Sequence, residues 1–153
     1  MDGSRPVVGG AAVIIALIAV VLSLVVIFAP ASPAAAPPQT IDLSLLITSA
    51  GTVGGPALSH LYDPQLMVVR RGDTVRLRVM NQSFFRHGIE IADYGVRTGE
   101  LNGGQSEVLT FTANKPGVFA YRCYLPYDPA TATCALDHAQ MIGHLVVIEP
   151  GRQ

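Results

Sequence analysis

Between Tyr121 and Met141 the chain reads Tyr121-Arg-Cys123-Tyr-Leu-Pro-Tyr-Asp-Pro-Ala-Thr-Ala-Thr-Cys134-Ala-Leu-Asp-His138-Ala-Gln-Met141. This one loop holds both cysteines, one of four histidines and one of four methionines. Thiolate, imidazole and thioether are soft donors, and among biological metals that combination favours copper over the hard cations, which prefer oxygen. A cupric site needs a second imidazole that the loop does not obviously supply, and His87 upstream is the candidate.

Donors so far apart in sequence have to be brought together by a scaffold, and its elements read as strands. Ile41, Leu43, Leu45 and Ile47 alternate with Asp42, Ser44, Leu46 and Thr48 as in a half-buried strand. Residues 51–56 end it in glycine and proline. A second strand is expected over 65–70, and the Arg71-Gly72-Asp73 turn leads into a third over 74–80. There Val75, Leu77 and Val79 face one way and Arg76 and Arg78 the other, the arginines forming a solvated face. Further strands are expected over 87–92, 107–112, 117–123 and 143–149, separated by turn sequences such as Lys115-Pro-Gly117. Strands recurring every 10 to 15 residues without amphipathic helices between them imply an antiparallel β-sandwich. Such a sandwich collects its loops at two ends, which would let His87 meet the Cys123 to Met141 loop.

The 153 residues leave room for one ordinary domain and an appendage. From Val7 to Ala29 there is no charged residue. As a helix this stretch would rise about 35 Å, enough to cross a hydrocarbon core of about 30 Å. We expect residues 1–6 in the cytoplasm, a transmembrane helix over 7–29, a Pro/Ala-rich tether over 30–40 and the sandwich over 41–153. Arg5 and the amino terminus ahead of the span favour this orientation, which puts a single-pass protein in the cell membrane with its C-terminal domain on the extracytoplasmic side. A cleaved signal peptide is the alternative, since Ala29, Ala31 and Ala34 to Ala36 follow the run. A net charge of −1 argues against nucleic acid as a partner. No Ser/His/Asp or paired-carboxylate arrangement stands out, so no catalysis by the chain alone is expected.

Four stretches together carry a resemblance: Asp73-Thr-Val-Arg-Leu-Arg-Val79; His87 before Gly88-Ile-Glu-Ile; Lys115-Pro-Gly-Val-Phe-Ala-Tyr-Arg-Cys123; and Cys134-Ala-Leu-Asp-His138-Ala-Gln-Met141-Ile-Gly-His-Leu-Val-Val. From about Leu61 to Glu149 the chain resembles a cupredoxin, a Greek-key sandwich. More narrowly, it resembles the copper A domain of subunit II of B-type haem-copper oxidases, where one transmembrane helix precedes that domain. The resemblance implies His87 and His138 as terminal imidazole ligands, Cys123 and Cys134 as bridging thiolates and Met141 as a weak thioether ligand of a dinuclear copper site. It implies electron transfer from a cytochrome c or small copper protein to a membrane oxidase core subunit, with the lipid bilayer holding the anchor.

The chain departs from that family in one place. The family keeps three residues between its cysteines, and here there are ten, residues 124–133. Lengthening the loop costs only about 1 kcal/mol of closure entropy. The backbone carbonyl that the short loop contributes as a further ligand has no assigned place in the longer one. Three other readings stay open. Cys123, His87, His138 and Met141 could form a mononuclear blue-copper set with Cys134 spare. The same donors could pass Cu(I) to another protein, or the cysteines could form a disulfide. His60, ahead of a strand, is expected to be a surface or packing residue, and His144, at the start of the last strand, a non-ligand. Tyr121, Phe84 and Phe85 are expected in core or rim packing.

Overall fold

A computed structural model describes residues 36–50 and 59–151. The expected membrane span and most of the tether lie outside these residues. Among the described residues no helix is long and apolar enough to cross a membrane. Nine strands are described: β1 Thr40–Ala50, β2 Ser59–Asp63, β3 Leu66–Arg70, β4 Thr74–Asn81, β5 Ile89–Ile91, β6 Val96–Arg97, β7 Ser106–Thr112, β8 Gly117–Cys123 and β9 Ile142–Ile148. They form a four-stranded sheet in the order β2-β1-β4-β7 and a five-stranded sheet in the order β3-β9-β8-β5-β6.

The alternation read in the sequence is the burial observed. In β4, Val75, Leu77 and Val79 are fully buried while Arg76 and Arg78 are exposed, and Arg76 pairs with Asp42 of β1 at 3.2 Å. In β1 it is Leu45 and Ile47 that enter the core; across the sandwich they meet Ile89, Ile91, Tyr121 and Leu145 in one continuous cluster. Each such side chain removed from water contributes about 1.5–3 kcal/mol. The sandwich differs from the expected antiparallel one in two pairings, because β1 runs parallel to β4 and β3 parallel to β9. The reason is connectivity. β2 turns back antiparallel along β1, and β3 then crosses to the other sheet, so β4 joins β1 with no hairpin between them.

Tyr121 shows how β8 and β9 are fitted to each other. It pairs in register with Gly143, and a Cβ at position 143 would lie 2.1 Å from the Tyr121 ring. Glycine there lets the ring cross the neighbouring strand. The Tyr121 hydroxyl then reaches the Pro64 carbonyl, and its ring packs 5.4 Å from that of Tyr62. The strand end that carries Cys123 is thereby fixed in depth.

Candidate metal centre

His87 lies just before β5, where a bridge to Leu101 pairs both its backbone groups. The preceding turn is set by Asn81, whose side-chain amide donates to the Phe85 and Leu101 carbonyls while its oxygen accepts the Ser83 N–H. Asn and Asp favour such turns because their short side chains mimic a backbone group. Cys123 is the last residue of β8, and Met141 directly precedes β9. His138 opens a single 3-10 turn, His138–Gln140.

The ten residues between the cysteines fold back on themselves. Asp128 and Thr133 exchange backbone hydrogen bonds, the Asp128 carboxylate accepts from Thr131 and Ala130, and Arg86 anchors the far side. The Arg86 N–H donates to Ala132, its carbonyl accepts from Cys134 at 2.8 Å, and its guanidinium donates to Thr133 Oγ1. Ala132 and Cys134 take φ values of +50° and +56°, a left-handed conformation that costs a non-glycine residue about 1–2 kcal/mol. The bonds to Arg86 hold Cys134 in it.

Four of the five residues singled out in the sequence are buried together, and His138 is partly exposed beside them. One ligand atom each from His87, Cys123 and Cys134 lies within 4.8 Å of the others. Cys123 Sγ is 3.8 Å from His87 Nδ1, and Cys134 Sγ is 3.9 Å from Met141 Sδ. Donors about 2.0–2.3 Å from one ion lie about 3.5–4 Å apart, so these spacings suit a shared metal. Cys134 Sγ and His138 Nδ1 are closer, at 2.9 Å, which is a hydrogen bond that a metal would have to open. Both cysteines are free thiols. The Leu125 carbonyl, two residues beyond Cys123, lies 4.0 Å from its sulfur. The longer loop therefore still offers a backbone oxygen.

The two thiols perturb each other. The neighbouring Cys134 thiol holds Cys123 well below the usual thiol range; burial opposes this, and His87 assists it. The same proximity, reinforced by burial, pushes Cys134 upward. Two thiols, two imidazoles and a thioether gathered in one largely buried group are chemically suited to a soft metal such as copper. His87 Nε2, fully buried, has no hydrogen-bond partner among the described residues.

No family model matches the chain. Over 96 residues it is 33% identical to the copper-containing nitrite reductase of Alcaligenes faecalis, covering 56% of this chain and 25% of that protein. The chain thus spans a quarter of the length of that curated relative. Its structure is similar to a copper nitrite reductase from Nitrosomonas europaea, with a TM-score of 0.57 and 23% identity over 72% of this chain and 42% of the other. The fold is cupredoxin-like. A blue copper oxidase from the same organism is similar too, with a TM-score of 0.51 and 20% identity over 75% of this chain and 40% of the other.

The remaining histidines divide. His144 is exposed on β9. His60 is inside β2 rather than ahead of a strand, and it is a packing residue, 1% exposed. Burial lowers its pKa, opposed by a bond between its Nδ1 and the Asp137 carboxylate. No local pattern signals that pairing, since the partners are 77 positions apart. Tyr121 is core, Phe85 half-buried and Phe84 83% exposed.

Proposed function

We propose that this chain is a copper electron-transfer protein with a dinuclear centre like copper A, in which Cys123 and Cys134 bridge and His87 and His138 are terminal. One observation carries the reading: each thiol sits beside a different imidazole, Cys123 by His87 and Cys134 by His138, with the two sulfurs in a single buried group. Met141 and the Leu125 carbonyl lie next to opposite sulfurs, which supports a weak ligand on each side. Bound copper would supply a one-electron couple. The protein's own part is to keep water from the sulfurs and to hold the donors on strand ends that move little between oxidation states. His138, partly exposed, gives the centre its edge toward solvent, and Leu136 beside it in the loop is 86% exposed. Such an edge suits brief contact with an electron donor.

On this reading the donor is a cytochrome c or small copper protein and the acceptor a membrane oxidase core subunit. The apolar stretch over 7–29 supports a membrane anchor, with the domain on the extracytoplasmic side. A mononuclear blue-copper centre of His87, Cys123, His138 and Met141 is the second reading. The similarity to a blue copper oxidase favours it. Copper loading of the full chain in detergent separates the two. We expect two ions per chain and a seven-line electron-spin pattern, because an electron shared by two copper nuclei couples to both. One ion with a four-line pattern would establish the second reading, and no tight copper binding would end both.

A further inference from the structure

Period-two alternation in β2 points His60 and Tyr62 inward and leaves Ser59 and Leu61 outside. A polar ring buried in this way is costly unless its nitrogens are bonded. Asp137 meets that need on one side. Its carboxylate accepts the His60 backbone N–H at one oxygen and lies 3.1 Å from Nδ1 at the other. An ionised carboxylate only accepts, so Nδ1 carries the proton and Nε2 is left with its lone pair. That lone pair is buried and has no partner among the described residues.

The neighbouring ring has the complementary need. His87 turns Nδ1 toward Cys123, and its Nε2 is also buried and, among the described residues, without a partner. A neutral imidazole that gives Nδ1 to a metal carries its proton on Nε2. The two ring centroids lie 5.1 Å apart. With each nitrogen about 1.1 Å from its centroid, two Nε2 atoms facing each other along the line of centres would stand about 3 Å apart, a hydrogen-bond distance.

Resting on the copper reading above, we propose that Asp137, His60 and His87 form a relay in which His60 accepts the His87 Nε2–H. His60 is then a positioning residue, not a ligand. It fixes the tautomer and orientation of His87 and makes the metal-facing nitrogen more basic, as carboxylates and carbonyls do behind other metal-bound histidines. Asp137 also immediately precedes His138 at the start of its 3-10 turn, so one β2 side chain braces the segments carrying both terminal imidazoles.

The test uses the full chain in detergent, loaded with copper, as wild type, His60→Ala, His60→Gln and Asp137→Asn. His60→Ala should keep the copper count and the number of directly bound nitrogens. It should alter the remote-nitrogen signal of His87 in pulsed electron-spin spectra, shift the midpoint potential and weaken copper affinity about 10- to 100-fold. His60→Gln, whose amide oxygen can accept the same N–H, should recover part of the shift. Asp137→Asn should move the potential in the same direction as His60→Ala. An unchanged remote-nitrogen signal and potential in His60→Ala would overturn the relay, and loss of a directly bound nitrogen would make His60 a ligand instead. If His60→Ala does not fold, His60→Gln and Asp137→Asn decide, and both behaving as wild type would overturn it. A wild-type chain that takes up no copper would sink the copper reading itself, an outcome distinct from a normal centre indifferent to His60.

Discussion

Cys134 is the residue on which the two copper readings part. It is the more constrained of the two sulfurs, held at a φ of +56° by its bond to Arg86 and lying 2.9 Å from His138 Nδ1. Cys134→Ser should abolish the seven-line pattern and leave at most one copper per chain, as electron-spin spectra and metal analysis will show. A spectrum identical to wild type would make Cys134 spare. His144→Ala should leave copper and its optical bands untouched, because His144 is exposed on β9. The spacing Cys134-x3-His138-x2-Met141 made this part of the site legible, since a soft-ligand cluster on one short loop has few other uses. His60 packs in the core as a surface or packing residue could, but inside β2 rather than ahead of a strand. Its bond to Asp137, 77 positions away, is a contact that no local pattern records.

At the level of elements, the junction of β8 and β9 leaves little room for change. Gly143→Ala would put a methyl group where the Tyr121 ring lies, and the ring is tied down by its hydroxyl bond to Pro64. Overpacking of this kind typically costs about 1–3 kcal/mol. The denaturation midpoint in urea should fall with little change in slope. The loop over 124–133 behaves as a separate small unit tied to the site through Arg86. Arg86→Ala removes its bonds to Thr133 and Glu100 but none to the sheets. It should therefore speed proteolytic cleavage within 124–133 while leaving the denaturation midpoint nearly unchanged. Strong alternation made β4, β7, β8 and β9 legible. β2 was not, because it is a five-residue strand with His60 and Tyr62 at its inward positions, a weak apolar signal. The parallel pairings were hidden as well, since alternation reports which face is buried and not which strand lies alongside.

For the molecule as a whole, the proposed anchor is the feature that most constrains biology. If residues 7–29 are retained as a helix, the mature chain keeps its amino terminus and leaves membranes only with detergent, because about 20 apolar side chains make exit from lipid prohibitive. Membrane fractionation with amino-terminal sequencing checks this. A soluble protein beginning near residues 31–36 would instead indicate a free carrier or a secreted copper-delivery protein. The sandwich was legible from strand spacing alone, and the cupredoxin likeness from Lys115 to Cys123 and Cys134 to Val147. The number of coppers was not, because it depends on whether two sulfurs 11 positions apart converge, which the ten-residue loop between them obscured.

The parallel pairing of β3 with β9 bears on how the chain is made. β3 is an edge strand whose one sheet neighbour is β9, with Leu66 opposite His144. During synthesis β3 must wait for a partner that emerges nearly eighty residues later, and chains dominated by such distant pairings fold over milliseconds to seconds. Cys123 and Cys134 emerge only in the last part of that wait, 19 and 8 residues ahead of β9, and until β9 docks their pocket is not closed. In an oxidising compartment the nascent thiols are then open to each other and to oxidants, so the hazard of a dead-end disulfide is greatest before the last strand docks. A yield that rises when reductant or copper is present during refolding, and not when it is added afterwards, would be the signature of that kinetic window.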